Sequence, residues 1–341
     1  MDVLVCATQV PFMRGGLELH VENLVAALQD AGHRAEAVHV PAAWDKERLL
    51  DAALAWRMVP LDADVVVPLN FPSYFARHPR KVIWLAHQHR AAYDGLGQEW
   101  SDFGLDDDSI ELHRQLVDWD TRVIAEAERR YATSGVVAAR LRRFNGLEAE
   151  ALHHPPPLAD RLEPRSGGGP GKHVLCVSRL EANKRPGMFL DAIRASRSGA
   201  PGILVGRGTM AAELAHQVAT SGLESRVELT GFVDDATLVD LLADAIAVVY
   251  SPLDEDYGYV TLQAFLAGVP VITASDSGGV LDWVTDGVTG YVTDGSPGAM
   301  GAAVDRLVAD PNLAHRMGAA GRARVAGLSW ERVVHTLVGR S

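Results

Sequence analysis

Cysteine is scarce. The 341 residues include two, Cys6 and Cys176, each inside an apolar run. They read as buried free thiols in a reducing compartment, ahead of a disulfide or a catalytic thiol. No run of about 18 apolar residues occurs, so no membrane span is expected. The opening, "MDVLVCATQV", enters a strand pattern directly and lacks the basic start and long apolar stretch of a signal peptide. The chain is therefore expected to be cytoplasmic. Positive charge is outnumbered: 32 Lys and Arg face 44 Asp and Glu, for a net charge of −12. That argues against a nucleic-acid partner, which needs a basic face, and leaves room for a local basic pocket. Lysine is scarcer still, with Lys46, Lys81, Lys172 and Lys184 the whole complement. A lysine inside a candidate site gains weight accordingly.

What is present is an alternation of short apolar runs and amphipathic helical patterns, the signature of α/β with parallel sheets. The length suggests two domains. The first half opens with strand "DVLVCA", loop "TQVPFMRGG" and helix "LELHVENLVAALQDAG", then strands "AEAVHV", "DVVVPL" and "KVIWLAH". The Gly- and Pro-rich "RSGGGPGKH" at 165–173 reads as a linker. It is not a P-loop, because Ser166 stands for the first glycine and His173 for the closing Ser or Thr. The pattern then restarts: "HVLCVSRL" echoes "DVLVCATQV", and strands "GILVGRG", "RVELTG", "IAVVYSPL" and "VPVITAS" follow with helices among them. Two Rossmann-like lobes facing across a cleft would turn strand C-termini and helix N-termini toward it.

Four loops after strands are candidates for chemistry. In "MRGGLELH", Gly15 and Gly16 precede a helix, whose free N–H groups can meet an anion; a plain tight turn is the other reading. In "VSRLEANKRPG", Arg179 and Lys184 suit a diphosphate, or form an ordinary charged turn. "VGRGTM" offers Gly206 and Gly208 but lacks the third glycine of the dinucleotide fingerprint, so an NAD site is unsupported. In "LDEDYGYVTLQAFLAGVPVI", a helix is expected from about Tyr259 or Val260 to Gly268. Its first N–H groups, about Tyr259 to Leu262, should be unsatisfied and suited to phosphate. Glu255 can accept from sugar hydroxyls. The Asp254–Glu255–Asp256 run also admits a metal reading, which is the weaker one.

The last stretch resembles the E-x7-E segment of the retaining GT-B glycosyltransferases of family 4. So do "GG" before the first helix, "VSRLEANKRP", "TGFVDD", "SGGVLDWVTDGVTGYV" at 277–292 and "LSWERVV" near the end. The resemblance spans essentially the whole chain, and the order of the motifs is its specific feature. It implies a GT-B fold, with an acceptor-binding Rossmann-like domain at 1–163, a donor-binding one at 164–325, and a C-terminal helix at 326–341 crossing back onto the first.

It also implies roles. Glu255 would hold donor-sugar hydroxyls, and Arg179 and Lys184 would neutralise the diphosphate. Gly16 and the amides around Tyr257, Gly258, Tyr259, Val260 and Thr261 would cradle the phosphates, with Gly15 and Gly206 close by. Gly231 to Val233 would flank the base. Gln263 replaces the family's second glutamate, which bonds the ribose, and so bears on nucleotide identity; a Gln263→Glu change is expected to be tolerated. In "KVIWLAHQHRAAYD", His87 is the active-site candidate, with His89 behind it; Arg90 faces an acidic group or pairs with Asp94. The activity implied is a retaining, metal-independent transfer from a nucleoside-diphosphate sugar to an unknown hydroxyl acceptor, with no cofactor. A GT-B nucleotide-sugar epimerase or an inactive sugar-nucleotide-binding subunit is the alternative. The basic "ARLRRFNG" reads as a solvated helix face rather than a membrane contact.

Overall fold

The structure is a computed structural model that describes the chain except residues 10, 13, 14, 43, 99, 166–170, 340 and 341. The core of the expected linker, 166–170, and part of the loop before the first helix thus lie outside the described residues. The chain forms two compact units. One comprises Met1–His154 together with the segment from Leu328 onward, and the other Pro155–Gly327. The changeover falls at His154/Pro155 rather than at 163. Within the second unit, Gln263 holds the Pro157 carbonyl and Arg322 holds the Glu163 carboxylate.

In the first unit, β1 (Asp2–Gln9) runs between β2 (Arg34–Pro41) and β3 (Val65–Pro68), all parallel. A second parallel set orders β4 (Val82–Leu85), β5 (Arg129–Ala132) and β6 (Glu150–Ala151). Parallel bridges Val66–Lys81 and Asn70–His87 link β3 to the flanks of β4. Strands β3 and β4 are buried on every residue, which is why both read as unbroken apolar runs. Helix α1 (Gly16–Asp30) returns the chain to β2 and buries His20, Val21, Leu24 and Leu28 along one face. Helices α2 (Leu49–Met58), α3 (Asp107–Ala125) and α4 (Gly135–Asn145) follow. Asp106 and Ser134 cap the last two by accepting from Ser109 and Val137 amides.

The second unit is one six-stranded sheet: β7 (His173–Val177), β8 (Gly202–Val205), β9 (Val227–Gly231), β10 (Ala245–Val249), β11 (Val271–Ala274) and β12 (Gly290–Thr293). Their spatial order is β12-β11-β10-β7-β8-β9. Helices α5 (Gly187–Ala195), α6 (Ala211–Thr220), α7 (Asp235–Ala243), α8 (Tyr259–Leu266), α9 (Pro297–Ala309) and α10 (Pro311–Val325) link or follow the strands. From β7 the chain winds one way through β8 and β9, then restarts on the other side at β10. The strand order therefore reverses between β7 and β10. In open sheets of this kind, ligands bind outside the strand C-termini at that reversal.

Helix α11 (Trp330–Val338) returns to the first unit. Its Val333, Val334, Leu337 and Val338 join α1 and the β1–β4 strands in one apolar cluster. Arg129 donates to the carbonyls of Thr336 and Leu337, each at 2.9 Å. No helix of the described residues is long and apolar enough to cross a membrane.

Candidate functional site

The reversal point of the second unit is built by two loops, one after β7 and one after β10. They are tied by backbone groups. Leu253 N–H donates to the Asn183 carbonyl at 2.8 Å. Arg185, in a left-handed conformation (φ 48°), donates to the carbonyls of Ser251 (2.8 Å) and Pro252 (3.0 Å) and forks onto Asp276. That guanidinium holds the Asp276 carboxyl below its usual range. Glu255 sits in a narrow backbone slot. Its N–H donates to Ser277 and its carbonyl accepts from Gly279 at 2.6 Å. Gly278 lies against it at φ +60°, where a Cβ would stand 2.6 Å from the Glu255 nitrogen and oxygen. Only glycine permits that approach.

With its backbone fixed, Glu255 turns its carboxylate to Lys184, which forms an ion pair with Oε2. The Tyr250 hydroxyl donates to the same oxygen at 3.0 Å. The Lys184 and Glu255 side chains are 14% and 15% exposed, so the pair is shielded yet reachable. Burial, then the Glu255 charge, pushes the Tyr250 phenol well above its ordinary range, which keeps it a proton donor. Among the described residues, Oε1 of Glu255 accepts no hydrogen bond. The sequence paired Lys184 with Arg179; the structure pairs it with Glu255. Arg179 is exposed on the same loop. The other lysines lie elsewhere. Lys81 is buried under the carbonyls of Tyr74, Ala76 and Val123, Lys172 pairs with Asp244, and Lys46 meets Ser109.

Helix α8 starts at Tyr259, as the pattern indicates, with Gly258 before it at φ +83°. Tyr257 and Tyr259 meet edge-on at 5.5 Å, and Tyr259 and Val260 are partly exposed. The expectation of unsatisfied amides through Leu262 needs correction at Thr261. Its N–H donates to the Gly258 carbonyl at 3.0 Å, and its side chain is fully buried. Gln263, one turn into the helix, has a partner within the unit. It is 7% exposed and its amide donates to the Pro157 carbonyl at 3.1 Å, so the residue acts as a tether. Gly206 (φ +144°) is required by the end of β7, since a Cβ there would lie 1.8 Å from the Ser178 carbonyl oxygen. Val233 is partly exposed beside Phe232, over whose ring Arg207 stacks at 5.3 Å.

In the first unit, His87 follows β4 and is partly exposed. Its Nδ1 donates to the Gln88 carbonyl at 2.9 Å, which leaves Nε2 as an acceptor in the neutral ring. The His87 carbonyl already accepts from Phe71 N–H at 3.2 Å. His89 is stacked on Trp44 at 5.4 Å and packed by Phe71 and Phe103; burial, then His87, brings its pKa down to about 4. It is a packed ring, so His87 is the better placed of the two. Arg90 pairs with Asp94 at 3.4 Å, and Asp94 also takes Arg140 at 2.6 Å. Arg140 is thus buried and paired rather than on a solvated face. The free amide expected at Gly15 is occupied as well: it donates to Glu18 of its own helix at 2.8 Å.

Sequence reasoning missed Tyr250, Arg185 and Gly278. Arg185 directly follows Lys184, and Gly278 lies in the quoted "SGG"; only Tyr250, closing the run "IAVVY", carries no local signal.

Residues 166–324, all in the second unit, match the family described as glycosyl transferases group 1. A GDP-mannose-dependent alpha-(1-6)-phosphatidylinositol monomannoside mannosyltransferase of Mycobacterium tuberculosis (strain CDC 1551 / Oshkosh) is 28% identical, over 94% of this chain and 92% of the relative. A sucrose-phosphate synthase structure from Thermosynechococcus elongatus superposes with a TM-score of 0.79 at 18% identity, covering 98% of this chain and 96% of that one. Anabaena Alr3699/HepE in complex with UDP-glucose gives 0.73 at 18% identity, covering 99% and 98%. The fold is GT-B, with two Rossmann-like lobes.

Proposed function

From the match of residues 166–324 to the group 1 glycosyl transferases, we propose that the chain is a member of that family and a retaining, metal-independent transferase of the cytoplasm. It moves a sugar from a nucleoside-diphosphate sugar to an acceptor hydroxyl. The observation that carries this reading is the Lys184–Glu255 pair at the β7/β10 reversal. There a cation for phosphate and a carboxylate for sugar hydroxyls stand side by side. A GDP-mannose-dependent relative and a neighbour holding UDP-glucose support a nucleotide-sugar donor.

The donor binds the second unit. Arg179, the Lys184 ammonium and the start of α8 stabilise negative charge as the diphosphate leaves the anomeric carbon. Glu255 accepts from the sugar hydroxyls. The acceptor hydroxyl binds the first unit near His87, whose bare Nε2 orients it. The new carbon–oxygen bond forms on the face from which the phosphate departs, and the leaving phosphate oxygen takes the acceptor proton. No resident cofactor enters this scheme.

The test is thermal-shift binding of UDP, GDP, ADP, dTDP, CDP and NAD, each with and without EDTA. A ligand at about 100 times its dissociation constant adds about 2.7 kcal/mol. Stabilisation by one nucleoside diphosphate, unchanged by EDTA, is expected and names the nucleotide. Response to NAD alone overturns the reading, and response only with a divalent ion overturns metal independence. Donor turnover without an acceptor product points to an epimerase.

A further inference from the structure

Two donors converge on one oxygen of Glu255. Lys184 and the Tyr250 hydroxyl both meet Oε2, while Oε1 has no partner among the described residues. The Glu255 backbone is held between Ser277 and Gly279, so only side-chain torsions remain to set where Oε1 points. Lys184 alone is a poor fixture, because an ammonium on a four-carbon stem follows the carboxylate as it turns. Tyr250 is different. It directly follows β10, is 5% exposed, and has a rigid ring. Rotating Glu255 away would strand a buried hydroxyl, which is expensive.

We propose that Tyr250 is a positioning residue: it fixes Oε2 of Glu255 and so presents Oε1 to a hydroxyl of the donor sugar. This rests on the reading of the site given above. Tyr250 touches no substrate; it acts through Glu255. Its effect therefore falls on the sugar half of the donor and spares the nucleoside diphosphate half.

The experiment compares wild type, Tyr250→Phe, Glu255→Ala and the double variant for binding of UDP, UDP-glucose, GDP and GDP-mannose by calorimetry, with melting temperatures alongside. Loss of a hydrogen bond to a charged group predicts at least about tenfold weaker binding of the preferred nucleotide sugar in Tyr250→Phe. The matching nucleoside diphosphate should change by less than about twofold on the same grounds. In the Glu255→Ala background, Tyr250→Phe should add nothing. Equal affinity of wild type and Tyr250→Phe for the nucleotide sugar overturns the positioning role and leaves the site reading intact. Parallel losses for the diphosphate and the nucleotide sugar, with a lowered melting temperature, overturn it in favour of plain packing. Failure of wild type to bind any of the four, and any of ADP, dTDP and CDP, overturns both.

Discussion

The side-chain amide of Gln263 donates to the Pro157 carbonyl across 3.1 Å, and both residues belong to the second unit. The link changes what a glutamate would do at this position. A carboxylate cannot donate, and at 7% exposure it would set a charge against a carbonyl oxygen. Gln263→Glu is therefore expected to lose about 1–3 kcal/mol in urea unfolding at pH 8. The loss should shrink at pH 5, where a protonated carboxyl can donate to Pro157. An unchanged unfolding midpoint at pH 8 would show that the tether contributes nothing, and the earlier expectation of a tolerated glutamate would stand.

Lys184→Ala removes the cation from Glu255 while leaving the two loops tied by Arg185 and Leu253. Turnover should fall by about 100-fold or more, the scale of losing one preorganised donor at a developing charge. The unfolded fraction should change little, because the ties between the loops are made through backbone carbonyls. Adding Glu255→Ala should recover any lost stability without recovering turnover. Near-normal turnover in Lys184→Ala would remove the residue from the mechanism.

Much of the fold is legible in the sequence for a physical reason. Parallel strands buried on both faces leave unbroken apolar runs, and α8 is bracketed by Gly258 and Gly268 at positive φ. Helix α2 escaped because only Leu49, Ala53 and Trp56 of it are buried and no side chain caps its start. The residue types at the site were legible too, but their partners were not. Lys184 and Glu255 are 71 residues apart, and Gln263 and Pro157 are 106 apart. Such pairs arise from strand order and loop stitching, which no local spacing encodes. The Gly15–Glu18 bond is the opposite case: glutamate three places after the cap is a readable pattern, and it marks the Gly15 amide as occupied.

Gly278→Ala tests the backbone slot that holds Glu255. The new methyl would lie 2.6 Å from backbone atoms of Glu255, at φ +60°. Gly287 has a similar φ of +71° with nothing within 4 Å of its added carbon, so Gly287→Ala measures the cost of conformation alone. Each should cost on the order of 1–3 kcal/mol in backbone strain. Gly278→Ala should also depress turnover, through the displaced carboxylate, where Gly287→Ala leaves it intact. Equal turnover in the two variants would mean the slot does not position Glu255.

Buried groups of the first unit contribute to the pH dependence of its stability in opposite directions, with His89, its pKa brought down to about 4, on the side of the His20–His154 pair. His20 and His154 lie 2.9 Å apart, fully buried against Trp84 and Trp330. Burial brings the His20 pKa down to about 3 and puts His154 well below its ordinary value of 6.5. Both rings stay neutral in the fold while the unfolded chain takes up protons. Their contribution is complete above pH 6.5 and is lost as pH falls toward 3. Asp120 runs the other way. Buried under the hydroxyls of Tyr74 (2.8 Å) and Tyr93 (2.5 Å), it is pushed up to about 7 by burial. Its contribution is complete below pH 3.8 and is lost as pH rises toward 7. Between pH 6.5 and 5, two histidines outweigh one aspartate, so the urea midpoint followed by tryptophan emission should drop. Asp120→Asn should steepen that drop by removing the opposing term, and His154→Gln should flatten it. A midpoint that rises as pH falls from 6.5 to 5 would mean that Asp120, not the histidine pair, governs this window.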